Sequence, residues 1–263
     1  MKGIKERAVT AVVFGVIVIG AIILHPFTCI GLLMLIAVWA SYEYAVTVHP
    51  TQRLGIPIIT LITFLIAYFS DSSLTANILL GGCILTGAIL SFYVFKKTND
   101  LNHRWLGYWI AAFYMGAACG LFAKAMMGYE NYRYYFLGIL ILIWCSDTGA
   151  YIVGSQWGKR KLLPKVSPNK TVEGFLGSLA AVLIGGYIMS KATPIKTTDW
   201  WITISLAVWL IGSLGDLVQS SVKRKYGVKD TGTILPGHGG IWDRFDSLIL
   251  VIPAVLFLDG YIL

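Results

Sequence analysis

Six carboxylates lie inside or against the apolar stretches of this chain: Glu43, Asp147, Asp216, Asp243, Asp246 and Asp259. A charge in hydrocarbon is costly, and where one persists it usually serves a function. Asp147 stands in Cys145-Ser146-Asp147-Thr148-Gly149, a polar break in an otherwise apolar run. Asp243 and Asp246 are three positions apart, so on a helix they share a face. Carboxylates held close repel one another unless a cation lies between them. Hard oxygen ligands beside phosphates suit Mg²⁺, which takes one or two carboxylates plus substrate oxygens. Glu43 has a blander reading as well, as a counter-ion for a lysine or a helix cap. Asp259 reads as a group that meets outer water.

Two loops, roughly 155–171 and 222–246, hold 10 of the 21 Lys and Arg residues. The first carries Lys159, Arg160, Lys161 and Lys165, then Ser167-Pro168-Asn169-Lys170-Thr171. A polybasic loop can be a retention signal or a patch for anionic lipid. The Ser-Pro-Asn-Lys-Thr run argues for more: Ser167 or Thr171 can cap the helix that follows, whose N-terminus would then face anions. Gly154 to Lys159 is not a P-loop, because three residues separate its glycines and Arg160 replaces the hydroxyl that would hold magnesium. The second loop carries Lys223, Arg224 and Lys229, then Gly237-His238-Gly239-Gly240. Such a glycine run can turn backbone N–H groups toward a phosphate, and Arg244 can fork onto one. The alternative for His238 is a loop histidine with a local hydrogen bond.

The elements that must position these groups are membrane helices. Of 263 residues, 57% are hydrophobic and 13% charged, with a mean hydropathy of +0.73. A soluble domain of this size could not hide that much apolar surface, which excludes a soluble enzyme, a disordered chain and a disulfide scaffold. Nine stretches approach the length needed to cross ~30 Å of hydrocarbon: 8–24, 27–48, 54–69, 74–95, 105–123, 134–154, 172–190, 200–221 and 247–262, the third and ninth short. The first follows Lys2, Lys5 and Arg7, but no small-residue cleavage site succeeds it, so it reads as an uncleaved helix. With the N-terminus inside, 17 Lys and Arg fall on the cytoplasmic side and 4 outside. That asymmetry sets the expected fold class: an all-α polytopic membrane protein of about nine transmembrane helices, N-terminus cytoplasmic, C-terminus outside. It also accounts for the net charge of +8 without nucleic acid. Cys29, Cys83, Cys119 and Cys145 form no CxxC pair and read as buried free thiols. Spans six and eight both run inward, so Asp147, Asp216, Asp243 and Asp246 approach one depth at the cytoplasmic interface. Residues 1–130 then supply five helices of undefined role, and 131–263 the catalytic helices with both loops.

The second loop resembles the signature of the phosphatidate cytidylyltransferases, or CDP-diacylglycerol synthases. Ser220, Lys223-Arg224, Lys229-Asp230, Pro236, His238-Gly239-Gly240 and Asp243-Arg244 with Asp246 fit it at the family's spacing. Ser146-Asp147-Thr148, Gly158-Lys159, Ser167-Pro168, Lys170-Thr171, Glu173-Gly174 and Gly215-Asp216-Leu217 are similar too, so the match spans roughly 146–246. The resemblance implies transfer of the cytidylyl group of CTP to phosphatidic acid, giving CDP-diacylglycerol and pyrophosphate, with Mg²⁺. It implies metal ligation by Asp216 and Asp243, with Asp246 and Asp147 in support. Phosphates would be held by Lys170, Lys223, Arg224, Lys229 and Arg244, with Lys165, Ser167, Gly239 and Gly240 also at the substrates. His238 would position a phosphate or protonate the leaving group. A homodimer in the lipid of a bacterial cell (inner) membrane is implied as well. The small residues Gly174, Gly177, Ser178, Ala181 and Gly185 either serve that dimer or pack within the chain. The competing readings are a CTP-dependent enzyme acting on a polyprenyl lipid and a membrane transporter.

Overall fold

A computed structural model describes residues 2–95, 104–237 and 239–260. Nine long helices run through these residues: α1 Lys2–Leu24, α2 Pro26–Val48, α3 Gly55–Phe69, α4 Ser73–Phe95, α5 Trp105–Gly128, α6 Tyr132–Trp157, α7 Val172–Ala192, α8 Thr198–Lys225 and α9 Trp242–Leu258. Six of them (α2, α4, α5, α6, α7 and α8) are long and apolar enough to cross a membrane. α1 and α3 contribute shorter apolar segments, and α9 carries charged residues in its first turn. This is an all-α membrane protein, as the composition requires.

α5 is the axis of the molecule: 78% of its apolar window is buried, against 33–50% in the other five. Glycine makes that possible. A Cβ on Gly116 would lie 2.5 Å from the Thr60 carbonyl oxygen, and one on Gly120 2.5 Å from that of Phe64, so α3 and α5 touch backbone to backbone. The other faces of the bundle keep large apolar side chains exposed, Leu24, Phe69, Leu74 and Trp105 among them. That surface is what lipid, rather than water, would cover.

Two departures from the expected elements matter for the site. The loop 155–171 is not irregular: α6 continues to Trp157, and β1 (Lys161–Leu163) then pairs antiparallel with β2 (Ser167–Thr171). The hairpin arises because Pro164 cannot continue a ladder and Thr171 ends it as the cap of α7, its hydroxyl accepting from Gly174 N at 3.1 Å. Secondly, α9 begins at Trp242, five positions before the expected span, which places Asp243 and Asp246 on its first turns.

Connections sort to two ends. At one, Tyr108 on α5 packs against Gly55, His49 packs against Gly107, and the Arg224 guanidinium donates to Val166 O in the β1–β2 turn. Glu43 reaches Thr231 at that same end. At the other end Lys124 pairs with Asp71 at 3.0 Å and Lys196 with Asp259 at 2.5 Å. Asp259 does not simply meet water: its side chain is 2% exposed, with Trp200 Nε1 donating at 3.0 Å and Tyr129 donating through its hydroxyl. Lys96 and Lys97 lie outside the described residues.

Candidate active site

α6, α8 and α9 bring their carboxylates to one place because each ends or begins there. Asp147 is nearly three turns from the end of α6, Asp216 stands in α8, and Asp246 in the first turns of α9. α8 and α9 approach closely at Gly215, where a Cβ would lie 2.7 Å from the Asp246 carbonyl oxygen. Just before it, α8 widens into a π-helical stretch, Val208–Gly212. Such stretches free backbone carbonyls and recur at functional sites. Here the Gly212 carbonyl accepts from the Ser247 hydroxyl at 3.1 Å, which fixes α8 against α9 beside Asp216.

The resulting cavity has a volume of about 730 Å³. Asp147, Asp216, Asp243, Asp246, Lys170, Lys223 and Arg244 line it, so seven of the residues singled out by the sequence converge. Asp216 Oδ2 meets the Lys170 ammonium at 2.6 Å, and its Oδ1 accepts from the Ser220 hydroxyl at 3.1 Å. Lys170 comes from β2, so the hairpin delivers a cation across α6 to α8. A smaller cavity of about 300 Å³ adjoins, sharing Asp147, Asp243, Arg244 and Asp246, and Phe14, Val18, Leu140 and Ile143 make one wall of it apolar.

Asp243 is bonded differently. Its Oδ1 accepts from Lys223 Nζ at 2.8 Å and Gln219 Nε2 at 3.0 Å; its Oδ2 accepts from the backbone N–H groups of Thr231 and Gly240, each at 2.9 Å. Gln219 is one turn from both Asp216 and Lys223 on α8, and helical spacing alone would have placed it on their face. The sequence reading passed over it, and gave no role to Asp230 or Asn169, which also line the cavity.

The glycine run behaves otherwise than as an open anion nest. Gly240 N–H goes to Asp243, and Gly239 N–H goes to Leu235 O at 3.1 Å. Gly239 has φ +88°, a left-handed conformation that side chains rarely adopt. A Cβ there would lie 2.7 Å from Asp243 Oδ2, so these glycines make room for carboxylates. Four other predicted contacts stand apart from the cavity lining. Lys165 is exposed on the hairpin turn, Ser167 is half-buried in β2, Arg224 is exposed, and so is Lys229. His238 lies outside the described residues. Glu173 takes a structural part, accepting from the N–H groups of Lys159 and Arg160 at 3.0 and 3.1 Å and so pinning the hairpin's entry.

The small residues of α7 are used within the chain. Cβ atoms on Gly174 and Gly177 would lie 2.8 Å from the Ala150 carbonyl oxygen and 2.4 Å from Val153, while Gly185 meets Cys145. The stripe therefore seats α7 on α6 and gives no support of its own to a dimer.

Comparison with known proteins agrees with this architecture. Residues 5–261 match the model of the family described as "Cytidylyltransferase family". The chain is 33% identical over 267 residues to the phosphatidate cytidylyltransferase of Staphylococcus haemolyticus, covering 97% of this chain and 98% of that protein. It is 43% identical over 150 residues to the phosphatidate cytidylyltransferase of Bacillus subtilis, covering 57% of this chain and 56% of that one. For the Staphylococcus aureus protein of the same name the figures are 41% over 173 residues, 64% of this chain and 66% of its relative. A match that runs almost end to end, with the signature residues converging on one cavity, places this chain in the cytidylyltransferase family.

Proposed function

We propose that this chain is a phosphatidate cytidylyltransferase, transferring the cytidylyl group of CTP to phosphatidic acid with release of pyrophosphate. The observation that carries the reading is the pairing of two cavities at one end of the bundle. The larger is lined by lysines, an arginine and carboxylates; the smaller shares Asp147, Asp243, Arg244 and Asp246 with it and adds an apolar wall from Phe14, Val18, Leu140 and Ile143. A nucleotide needs the first, and a lipid whose phosphate sits at the interface needs both.

The lipid phosphate is largely dianionic at neutral pH, since phosphomonoesters lose their second proton near pH ~6. Its oxygen attacks the α-phosphorus of CTP, and the bond from that phosphorus to the β-phosphate oxygen breaks, with the electron pair leaving on pyrophosphate. No strong base is required. The task of Lys170, Lys223 and Arg244 is to bring two anions together and hold them in line. Lys170 and Lys223 are themselves held by Asp216 and Asp243, which fixes where each ammonium stands.

One or two of Asp147, Asp216 and Asp246 would hold Mg²⁺, together with phosphate oxygens of the substrate. Among the described residues no group of three or more ligands encloses an ion unaided. That donor set fits an ion that takes one or two carboxylates and completes its shell with phosphate oxygens. Bound there, the ion would neutralise charge on the triphosphate. Asp243, which accepts four hydrogen bonds where Asp216 has two partners, fits the role of support better than that of ligand. All nine helices would cross the membrane of a bacterial cell, with the site end cytoplasmic; the 17-to-4 distribution of basic residues supports that orientation.

The test is a substrate panel. Purified protein with CTP and phosphatidic acid should release one pyrophosphate per CDP-diacylglycerol formed, and other nucleoside triphosphates should do so far more slowly. Pyrophosphate release with a polyprenyl phosphate but not with phosphatidic acid would overturn the assignment of the acceptor, and substrate uptake without CTP would overturn the enzyme.

A further inference from the structure

Glu43 belongs to α2, far in sequence from the catalytic signature, and yet it ends in the loop that precedes α9. Its side chain is buried, the residue being 3% exposed. Every partner donates to it: Trp39 Nε1 at 3.1 Å and Ile241 N at 2.9 Å to Oε1, Trp242 N at 2.9 Å and the Thr231 hydroxyl at 3.2 Å to Oε2. Three of the four are N–H groups that can only donate, so each carboxylate oxygen is needed as an acceptor. The positive end of α9 stands opposite it.

Asp243 grips the same two points of the chain from the other side. It takes the N–H of Thr231 where Glu43 takes the Thr231 hydroxyl, and the N–H of Gly240 where Glu43 takes those of Ile241 and Trp242. The successive N–H groups of Gly240, Ile241 and Trp242, at the entry to α9, are thus all satisfied by two carboxylates. The loop between Thr231 and Gly240 is closed at its neck by this double clip. Inside it, Leu235 and Gly239 exchange backbone hydrogen bonds of 3.0 and 3.1 Å. The fit leaves no slack: a Cβ on Gly232 would lie 2.5 Å from Glu43 Oε1, and one on Gly240 2.2 Å from Oε2.

We propose that Glu43 is a positioning residue for cytidylyl transfer, through which the N-terminal helices hold the 231–240 loop and, by way of Asp243, the Lys223 ammonium at the cavity. This rests on the reading of that cavity as the cytidylyltransferase site. Glu43 need touch no substrate. It acts because Asp243 can fix Lys223 and Gln219 with one oxygen only while the loop presents Thr231 and Gly240 to the other.

The experiment compares Glu43→Gln and Thr231→Val with the parent, as full-length protein in mild detergent or nanodiscs. It reads kcat per folded molecule and backbone amide hydrogen exchange. Glutamine matches glutamate in size but sets an NH₂ group against N–H donors. The expected result is loss of protection confined to 231–242 and a fall in kcat of about 100-fold, the usual consequence of misplacing a site by ~1 Å. Thr231→Val deletes one contact at constant volume and should give the same local signature with a roughly tenfold fall, about the worth of one hydrogen bond to a charge. It carries the test should the Glu43 variant fail to assemble. Parental kcat in Thr231→Val, or in a folded Glu43→Gln protein, overturns the proposal. A fall in folded yield with kcat per folded molecule unchanged also overturns it, since that is the mark of a purely structural group. A parent without cytidylyl transfer would sink the reading beneath the proposal, while the exchange data would still report on the clip.

Discussion

Asp216 and Asp243 each meet a lysine, but what remains of their bonding capacity differs. Asp216 faces the cavity with Lys170 and Ser220 as its partners, beside Asp147 and Asp246. Asp243 accepts four hydrogen bonds, from Lys223, Gln219 and two backbone N–H groups. Their Asn variants should therefore fail differently. D216N should lose about 100-fold or more in kcat, with partial recovery as Mg²⁺ is raised. D243N should lose as much with no recovery, because its amide has one acceptor oxygen and must set its NH₂ either against Thr231 and Gly240 or against Lys223 and Gln219. Mg²⁺ titrations of kcat in both variants check this, and an identical response in the two would show that the distinction is wrong. The sequence could identify both aspartates, since charge in an apolar run is conspicuous. It could not separate their roles, because the partners of Asp243 lie at positions 219, 223, 231 and 240 and come together only through the α8–α9 turn. Glu43 was harder still: its bonds join residues almost two hundred positions apart.

At the scale of elements, helix lengths and starts follow from apolar runs and caps: six of the nine helices lie within four residues of the expected spans, while α1 begins six earlier, α5 ends five later and α9 begins five earlier. The π-helical stretches in α5 and α8 and the β1–β2 hairpin have no such periodic mark. The packing of α6 on α7 is legible only as a list of small residues whose partner the sequence leaves open. The structure resolves that choice toward α6, and a substitution can test it. Gly177→Ala sets a methyl within 2.4 Å of Val153, so something must give. Overpacking of this kind typically costs about 1–3 kcal/mol. The melting temperature in detergent should fall, Val153→Ala in the same chain should restore most of it, and the oligomeric mass should stay that of the parent throughout. A change in mass with an unchanged melting temperature would mean that the stripe faces another subunit after all.

On the scale of the whole molecule, the two ends are built for different purposes. The end bearing Lys170, Lys223 and Arg244 is open and charged around a cavity. The opposite end is tied shut: Lys196 meets Asp259 at 2.5 Å and lies over the rings of Tyr129, Tyr135 and Trp200 at 5.2, 5.9 and 5.1 Å. A lysine so caged draws on both ion pairing and aromatic faces, and it joins the α7–α8 connection to the end of α9. Charge counting from sequence predicts a sidedness, because basic residues are retained where the chain is inserted from. It misses the clasp, because Asp259 sits beside an apolar run with no basic neighbour in sequence. Sidedness has a direct test. Cys29, Cys83 and Cys119 are buried and Cys145 is half-buried, so single cysteines introduced at exposed Lys165 and Lys229, and at exposed Asp71 and Glu130, should dominate labelling. In intact cells an impermeant maleimide should modify positions 71 and 130 and leave 165 and 229 unreacted; in inverted vesicles the pattern should exchange. Labelling of 165 and 229 from opposite sides would separate the hairpin from the 231–240 loop. No single cavity could then be formed by both, whatever the distances between Lys170 and Asp216.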